Sequence, residues 1–255
     1  MPTRALIVGN WKMNGLGPGG LGLDGIALAD ALGARLSSGP PPRCELVLAP
    51  PATLIARVAS ALKGASIALA GQDCHAEPSG AHTGDVSAEM LKDAGCRYVI
   101  VGHSERRRDH GETDVAVRAK AAAAHRAGLI AILCVGESEA ERTRGNAEAV
   151  VERQLRGSLP ATANATNTVL AYEPVWAIGS RRTPSTAEIA AMHALARKAL
   201  GARWADAAGA RVLYGGSVKA ANARQILGIP GVDGALVGGA SLDATEFWAI
   251  AQSCP

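Results

Sequence analysis

A chain of 255 residues with 48 % apolar side chains can bury a sizeable core without disulfide or metal staples. Its charge is nearly balanced, 26 Lys and Arg against 23 Asp and Glu, which argues against nucleic acid or an anionic membrane as a partner. Aromatic residues make up only 3 %, so the core is expected to consist of Ala, Val, Leu and Ile rather than rings.

Short β-like runs alternate with Ala-rich helical stretches along the whole length. Strands are predicted at 5–9, 45–49, 66–70, 98–101, 130–135, 168–171, 211–214 and 234–237. Each is a near-continuous apolar run, as parallel strands buried on both faces require. Helices are predicted between them at 24–36, 52–62, 87–94, 114–127, 147–155, 186–200, 220–227 and 244–252. Gly128 and Gly201 read as helix stops. Eight strand–helix units without a break in composition predict one α/β domain over 1–255, a closed (β/α)8 barrel. An open doubly wound sheet is the alternative with the same alternation.

Active sites of such barrels lie at the carboxyl ends of the strands, so those positions are where chemistry is sought. The first strand runs into Asn10-Trp11-Lys12-Met13-Asn14, where Lys12 can project an ammonium into the mouth and attract an anion. After the third strand comes a long connection, 72–85, with the small tip Gly80-Ala81-His82-Thr83-Gly84. A loop of that length is suited to insertion into a partner subunit, or it is a mobile surface lid. The fourth strand leads to Gly102-His103-Ser104-Glu105. There Ser104 reads as a helix cap, and the positive end of the helix should keep His103 neutral. Glu105 either supports that helix start or balances Lys12 across the mouth.

Thr168-Val169-Leu170-Ala171 carries the chain into Tyr172-Glu173-Pro174-Val175-Trp176-Ala177-Ile178-Gly179. Pro174 cannot donate to a ladder, so the strand stops and leaves Glu173 at its end. A carboxylate there, beside Trp176 and Ile178, is expected to be partly desolvated, with its pKa raised toward that of a useful base. The last two strands end in Tyr214-Gly215-Gly216-Ser217-Val218 and Val237-Gly238-Gly239-Ala240-Ser241. Two such turns after successive closing strands read as a phosphate cradle built from backbone N–H groups.

No apolar run reaches the length of a membrane span, and Met1-Pro2-Thr3-Arg4 leads into a strand without a signal-peptide pattern. Cys44, Cys74, Cys96, Cys134 and Cys254 are odd in number and scattered, with no C-x-x-C pair. They read as reduced thiols in a cytoplasmic protein, and Cys74-His75 alone is weak evidence for a metal, so none is expected.

Six segments together resemble the triosephosphate isomerase family, in order and over essentially the whole chain. Four are the strand ends of Asn10–Asn14, Tyr172–Gly179, Tyr214–Val218 and Val237-Gly238-Gly239-Ala240-Ser241-Leu242; the others are Gly102-His103-Ser104-Glu105-Arg106-Arg107 and Cys134-Val135-Gly136-Glu137. The resemblance implies a TIM barrel that interconverts dihydroxyacetone phosphate and glyceraldehyde 3-phosphate through an enediolate, without a cofactor. It makes Glu173 the base, His103 the neutral electrophile and Lys12 the stabilising cation, with Asn10 lining the same pocket. Gly179, Ser217, Gly238 and Gly239 become backbone donors to the phosphate, and Glu105 and Cys134 supporting residues. It implies a homodimer joined through the loop of Thr83. An isomerase of a four-carbon ketose phosphate would use the same catalytic set and is the alternative activity. A non-catalytic phosphate-binding barrel would have lost at least one of the three catalytic residues, and all are present.

The sequence departs from the family at two places. The lid tip is Ser180-Arg181-Arg182-Thr183-Pro184, where Arg181 replaces a flexible glycine and Pro184 fixes φ, so a stiffer lid is expected. His82 stands where an aromatic Phe or Tyr is common.

Overall fold

The computed structural model describes residues 4–17, 24–178 and 182–255. Each apolar run forms a strand: β1 (Ala5–Asn10), β2 (Cys44–Ala49), β3 (Ile67–Gly71), β4 (Tyr98–Val101), β5 (Ile130–Val135), β6 (Thr168–Tyr172), β7 (Val212–Tyr214) and β8 (Gly234–Val237). Every strand pairs in parallel with the next, and β8 returns to β1 with Leu6 opposite Gly234 and Gly9 opposite Val237. That last ladder closes a (β/α)8 barrel and rules out the open sheet, which would have had two unpaired edges.

The helices are α1 (Gly25–Ser38), α2 (Ile55–Ala61), α3 (Ala88–Asp93), α4 (Ser104–Asp109), α5 (Asp114–Arg126), α6 (Glu139–Thr143), α7 (Ala147–Ser158), α8 (Thr186–Gly201), α9 (Ala220–Leu227) and α10 (Ala244–Gln252). Residues Ala52–Leu54 of the predicted second helix form a 3-10 turn instead. The short α6 was not predicted. Its signal was a capping box, in which Ser138 and Glu141 satisfy each other's backbone N–H groups. The same box at Ser185 and Glu188 starts α8. Gly128 takes a positive φ of 72° after α5, as a helix stop should. Gly201 does not: it is the last residue of α8, and Ala202 follows as the cap.

Two apolar layers hold the barrel. Inward-facing residues such as Leu6, Val8, Val47, Ile100, Ile132, Val169, Leu213 and Leu236 fill the lumen, together with Ala49, Ala70 and Ala171. Outward-facing residues pack under the helices. The expectation of a ring-free core fails in one respect. Trp11, Tyr98, Tyr172, Tyr214 and Phe247 rank among the largest fully buried side chains, so the few rings are central ones. The amino ends of the strands are closed by a polar plug, in which Glu45 accepts from Tyr98 Oη at 2.7 Å and from Arg97 and Arg211 at 2.9 Å each. A cavity opens at the carboxyl ends.

His193 on α8 is fully buried, with Nδ1 3.1 Å from the carbonyl of Gly231. Burial pulls its pKa down to about 4, and the charge of Arg197 acts in the same direction. An unfolded histidine titrates near ~6.5, so below that pH the unfolded chain binds the extra proton. Stability from this site is complete above pH ~6.5 and is lost as pH falls toward 4, by about 1.4 kcal/mol per unit. In denaturant titrations from pH 7 to 4.5, His193→Asn is expected to show a flatter loss of stability than the native chain.

Candidate active site

Where β1 ends, the backbone makes an unusual turn. Lys12 has φ of 51° and, among the described residues, is the one non-glycine with positive φ. Such a conformation costs about 1–2 kcal/mol and needs outside support. Asn10 provides part of it: its Oδ1 accepts from the Lys12 N–H at 3.1 Å. Gln72 provides the rest, its amide donating at 2.8 Å to both the Lys12 and the Ala49 carbonyls. Trp11 lies fully buried beneath. The strained turn aims the ammonium into the barrel mouth, where it pairs with Glu105. Glu105 lies in the first turn of α4 and also pairs with Lys12, so its position accommodates both readings.

The helix start after β4 is capped by His103, not by Ser104 as expected. Its Nδ1 accepts from the Glu105 N–H at 3.3 Å, which assigns the ring proton to Nε2. Nε2 then donates to Glu173 Oε1 at 3.0 Å. The other oxygen, Oε2, accepts from the Ser104 N–H at 2.9 Å. Ser104 therefore serves the site with its backbone, having given up the cap to its neighbour.

Glu173 is only 2 % exposed, yet its ionisation runs against the expected direction. Burial pushes its pKa up, but the charge and hydrogen bond of His103, the Ser104 N–H and Lys12 together bring it below the usual glutamate value. His103 is the other half of that balance. Burial lowers its pKa, and the adjacent carboxylate more than offsets this, so the net direction is upward. The helix start holds the Nδ1 lone pair, but it does not by itself decide the charge of the ring. Without a ligand, base and imidazole are each other's partner.

The segment under Glu173 depends on a glycine. A Cβ on Gly136 would lie 1.7 Å from the Glu173 carbonyl oxygen, so only glycine lets β5 and β6 approach there. Gln154 fixes Gly136 from behind, accepting from its N–H at 2.7 Å and donating to its carbonyl at 3.1 Å. The next residue, Glu137, is fully buried. Its Oε1 accepts from Trp176 Nε1 at 2.8 Å, Arg142 at 3.1 Å and Tyr172 Oη at 3.2 Å. The Arg142 and Arg182 guanidinium groups lie 4.7 and 5.0 Å from the Trp176 ring centre, and Arg182 also pairs with Glu139. The chain beyond Pro174 is thereby anchored to α6.

One cavity of about 850 Å³ unites these strand ends. Asn10, Lys12, His103, Glu105, Glu173, Ser217, Gly238 and Gly239 all line it. Gly215 lines it too, but its N–H is used by the Tyr172 carbonyl at 2.7 Å. Gly238 borders Lys12: a Cβ there would be 3.6 Å from the lysine Cε. Cys134 sits in the barrel interior beneath Glu173, where burial pushes its thiol pKa well up. Gly179 and Arg181, to which the sequence reading gave roles, lie outside the described residues. Pro184 is buried immediately before the cap of α8.

Thr83 is exposed on the β3–α3 loop, away from the cavity. In the same loop the rings of His75 and His82 lie 4.0 Å apart, next to Asp85. These are metal-ligand residue types, but His75 Nδ1 accepts from the Glu77 N–H at 3.0 Å. The neutral ring then carries its proton on Nε2, the nitrogen turned to Asp85, which is 3.9 Å away. We assign this cluster a packing role in the loop.

Sequence reasoning gave no role to Gln72, Gly136, Glu137 or the Ser104 amide. Gly136-Glu137 stood in a segment that carried the family resemblance. Gln72 had no local signal, because it acts on the backbone of a residue far away in sequence.

A sequence profile described as triosephosphate isomerase matches residues 5–254. The triosephosphate isomerase of Afipia carboxidovorans is 57 % identical over 253 residues, 99 % of this chain and 98 % of the relative. That of Rhodopseudomonas palustris is 54 % identical over 257 residues, with 99 % and 98 % covered. The crystal structure of triosephosphate isomerase from Bartonella henselae superposes with a TM-score of 0.88 at 44 % identity, covering 98 % of each chain.

The close approach at Gly136 makes a direct prediction. Gly136→Ala must part β5 from β6 and displace the Glu173 backbone. A displacement near 1 Å costs on the order of 100-fold in turnover, with a clear loss of thermal stability. Steady-state kinetics and thermal unfolding of the purified variant check both.

Proposed function

We infer what each residue at this rim does from one premise: the chain belongs to the triosephosphate isomerase family. The function is interconversion of dihydroxyacetone phosphate and D-glyceraldehyde 3-phosphate by moving one proton between adjacent carbons. The observation that supports the roles best is the shared cavity of Lys12, His103 and Glu173.

Glu173 is the base that removes the carbon-bound proton and returns it to the neighbouring carbon. At rest both its oxygens are occupied, by His103 Nε2 and the Ser104 N–H. A substrate carbonyl that accepts from Nε2 in place of Glu173 removes the His103 bond that helps to hold the carboxylate down. The Ser104 N–H and Lys12 still hold it down, but desolvation acts upward against fewer partners, so the base strengthens on binding. His103, donating from Nε2, polarises the carbonyl and exchanges protons between the two oxygens of the enediolate. Lys12 balances the negative charge that develops on those oxygens in a water-poor site.

Ser217, Gly238 and Gly239, with Gly179, would supply backbone N–H groups to the phosphate. Placing that dianion beside Lys12 fits the contact between Gly238 and the lysine stem. Glu105 keeps the ammonium from collapsing onto the carboxylate of the base. Cys134 supports Glu173 from below. Closure of the segment after Trp176 would exclude water and prevent loss of phosphate from the enediolate. The reaction needs no cofactor. The same reading makes the protein a cytoplasmic enzyme of glycolysis and gluconeogenesis.

The protein also acts as a homodimer in this reading. Met13, adjacent to Lys12, is 95 % exposed, an unusual position for a large apolar side chain. A partner's Thr83 loop would cover that rim. Thr83→Arg is expected to give monomers in sedimentation equilibrium, with a large fall in kcat; a dimer that persists would place the interface elsewhere.

In a coupled assay with glyceraldehyde 3-phosphate, Glu173→Gln is expected to lower kcat by about 10²–10⁴-fold, with little change in affinity for a substrate analogue. Undiminished turnover would remove Glu173 from the role of base. A four-carbon ketose phosphate assayed alongside should give a lower kcat/KM than the three-carbon substrate.

A further inference from the structure

We propose that Cys44 and Cys254 are a disulfide-forming pair, a modification site at the end of the barrel opposite the catalytic rim, with a hydroperoxide as the oxidant class. Cys44 is the first residue of β2, at the strand's amino end, and Cys254 follows α10. Both are buried, 2 % and 7 % exposed. They converge on one atom: the Cys44 thiol donates to the Ala251 carbonyl at 3.6 Å, and the Cys254 N–H donates to the same oxygen at 3.3 Å. Two residues held to one carbonyl by Sγ and by N have their thiols side by side, in contact with each other, the approach a cystine requires.

Exposure and hydrogen bonding separate the two sulfurs into roles. A hydrogen bond between the thiols pushes the Cys44 pKa up and brings the Cys254 pKa down, the latter against burial. Cys254, the more exposed of the two, is the attacking thiol, and Cys44, whose thiol is held by the Ala251 carbonyl, is the resolving one. Cys74 donates instead to the Lys120 carbonyl at 3.7 Å, and Cys134 lies in the barrel interior. Access to Cys254 requires only the last turn of α10 to open, where Ser253 N–H bonds Ile250 and Cys254 N–H bonds Ala251.

The steps balance. The Cys254 thiolate attacks the peroxide oxygen, the O–O bond breaks, an alcohol or water leaves, and Cys254 becomes a sulfenic acid. The Cys44 sulfur then attacks that sulfur, the S–O bond breaks, and water leaves. Two thiols have lost two electrons and two protons, and the peroxide has gained them. The cystine ties α10 to β2 and restricts the unfolded chain across most of its length. The catalytic rim lies at the other end of the strands and is untouched.

The test is limited oxidation of the folded native protein with hydrogen peroxide, followed by thiol blocking in denaturant and tryptic mass spectrometry. Peptides 44–57 and 225–255 each contain one cysteine. The expected result is their cross-linked product, absent in Cys254→Ser. Oxidised native protein should show a higher guanidinium unfolding midpoint and an isomerase kcat/KM within twofold of the reduced form. Oxidation of Cys254 to sulfinic or sulfonic acid with no linked peptide overturns the proposal. So does the same rise in midpoint in oxidised Cys254→Ser.

Discussion

The buried carboxylate of Glu173 is tied by one oxygen to His103 Nε2 and by the other to the Ser104 N–H, and the rest of the rim is arranged around that clamp. A carboxylate this deep would ordinarily be neutral. It stays charged because three positive or donating groups face it from two other strand ends. The bonds that keep it charged also keep it a weak base, and one of them, from His103 Nε2, is the bond a substrate carbonyl would compete for. The resting site is thus a compensated pair that a ligand uncouples.

Two further constraints hold the clamp in place. The first is steric: β5 and β6 approach so closely that Gly136 touches the Glu173 carbonyl with no room for a methyl group. The second is electrostatic, with Glu137 collecting Trp176, Tyr172 and Arg142 around one buried oxygen. Strain at Lys12 is the counterpart on β1, held by Asn10 and Gln72. In each case a polar side chain orients a backbone and leaves the apolar lumen unchanged. The barrel supplies rigidity, and hydrogen bonds between distant loops supply direction.

The two ends of the barrel divide the work. At the amino ends Glu45, Tyr98, Arg97 and Arg211 neutralise one another, and the Cys44 and Cys254 thiols lie at the start of β2 and after α10. At the carboxyl ends charges are left facing a cavity of about 850 Å³. Separation along the strand axis would let the proposed cross-link form at one end without moving the other.

The sequence by itself determined the strand–helix alternation, because buried parallel strands require continuous apolar runs and Pro174 must end one of them. It also placed Lys12, His103 and Glu173 at strand ends, since motif and period are local properties. Closure of the barrel was not local: it rests on β1 meeting β8, two segments more than 200 residues apart in sequence. Tertiary structure alone decided that His103 caps α4 in place of Ser104, that Glu173 is held below its usual pKa, and that Gln72 supports Lys12. Each of these depends on which groups meet across strand ends, and the free energy of a charge is set by its neighbours in space, not by those in sequence.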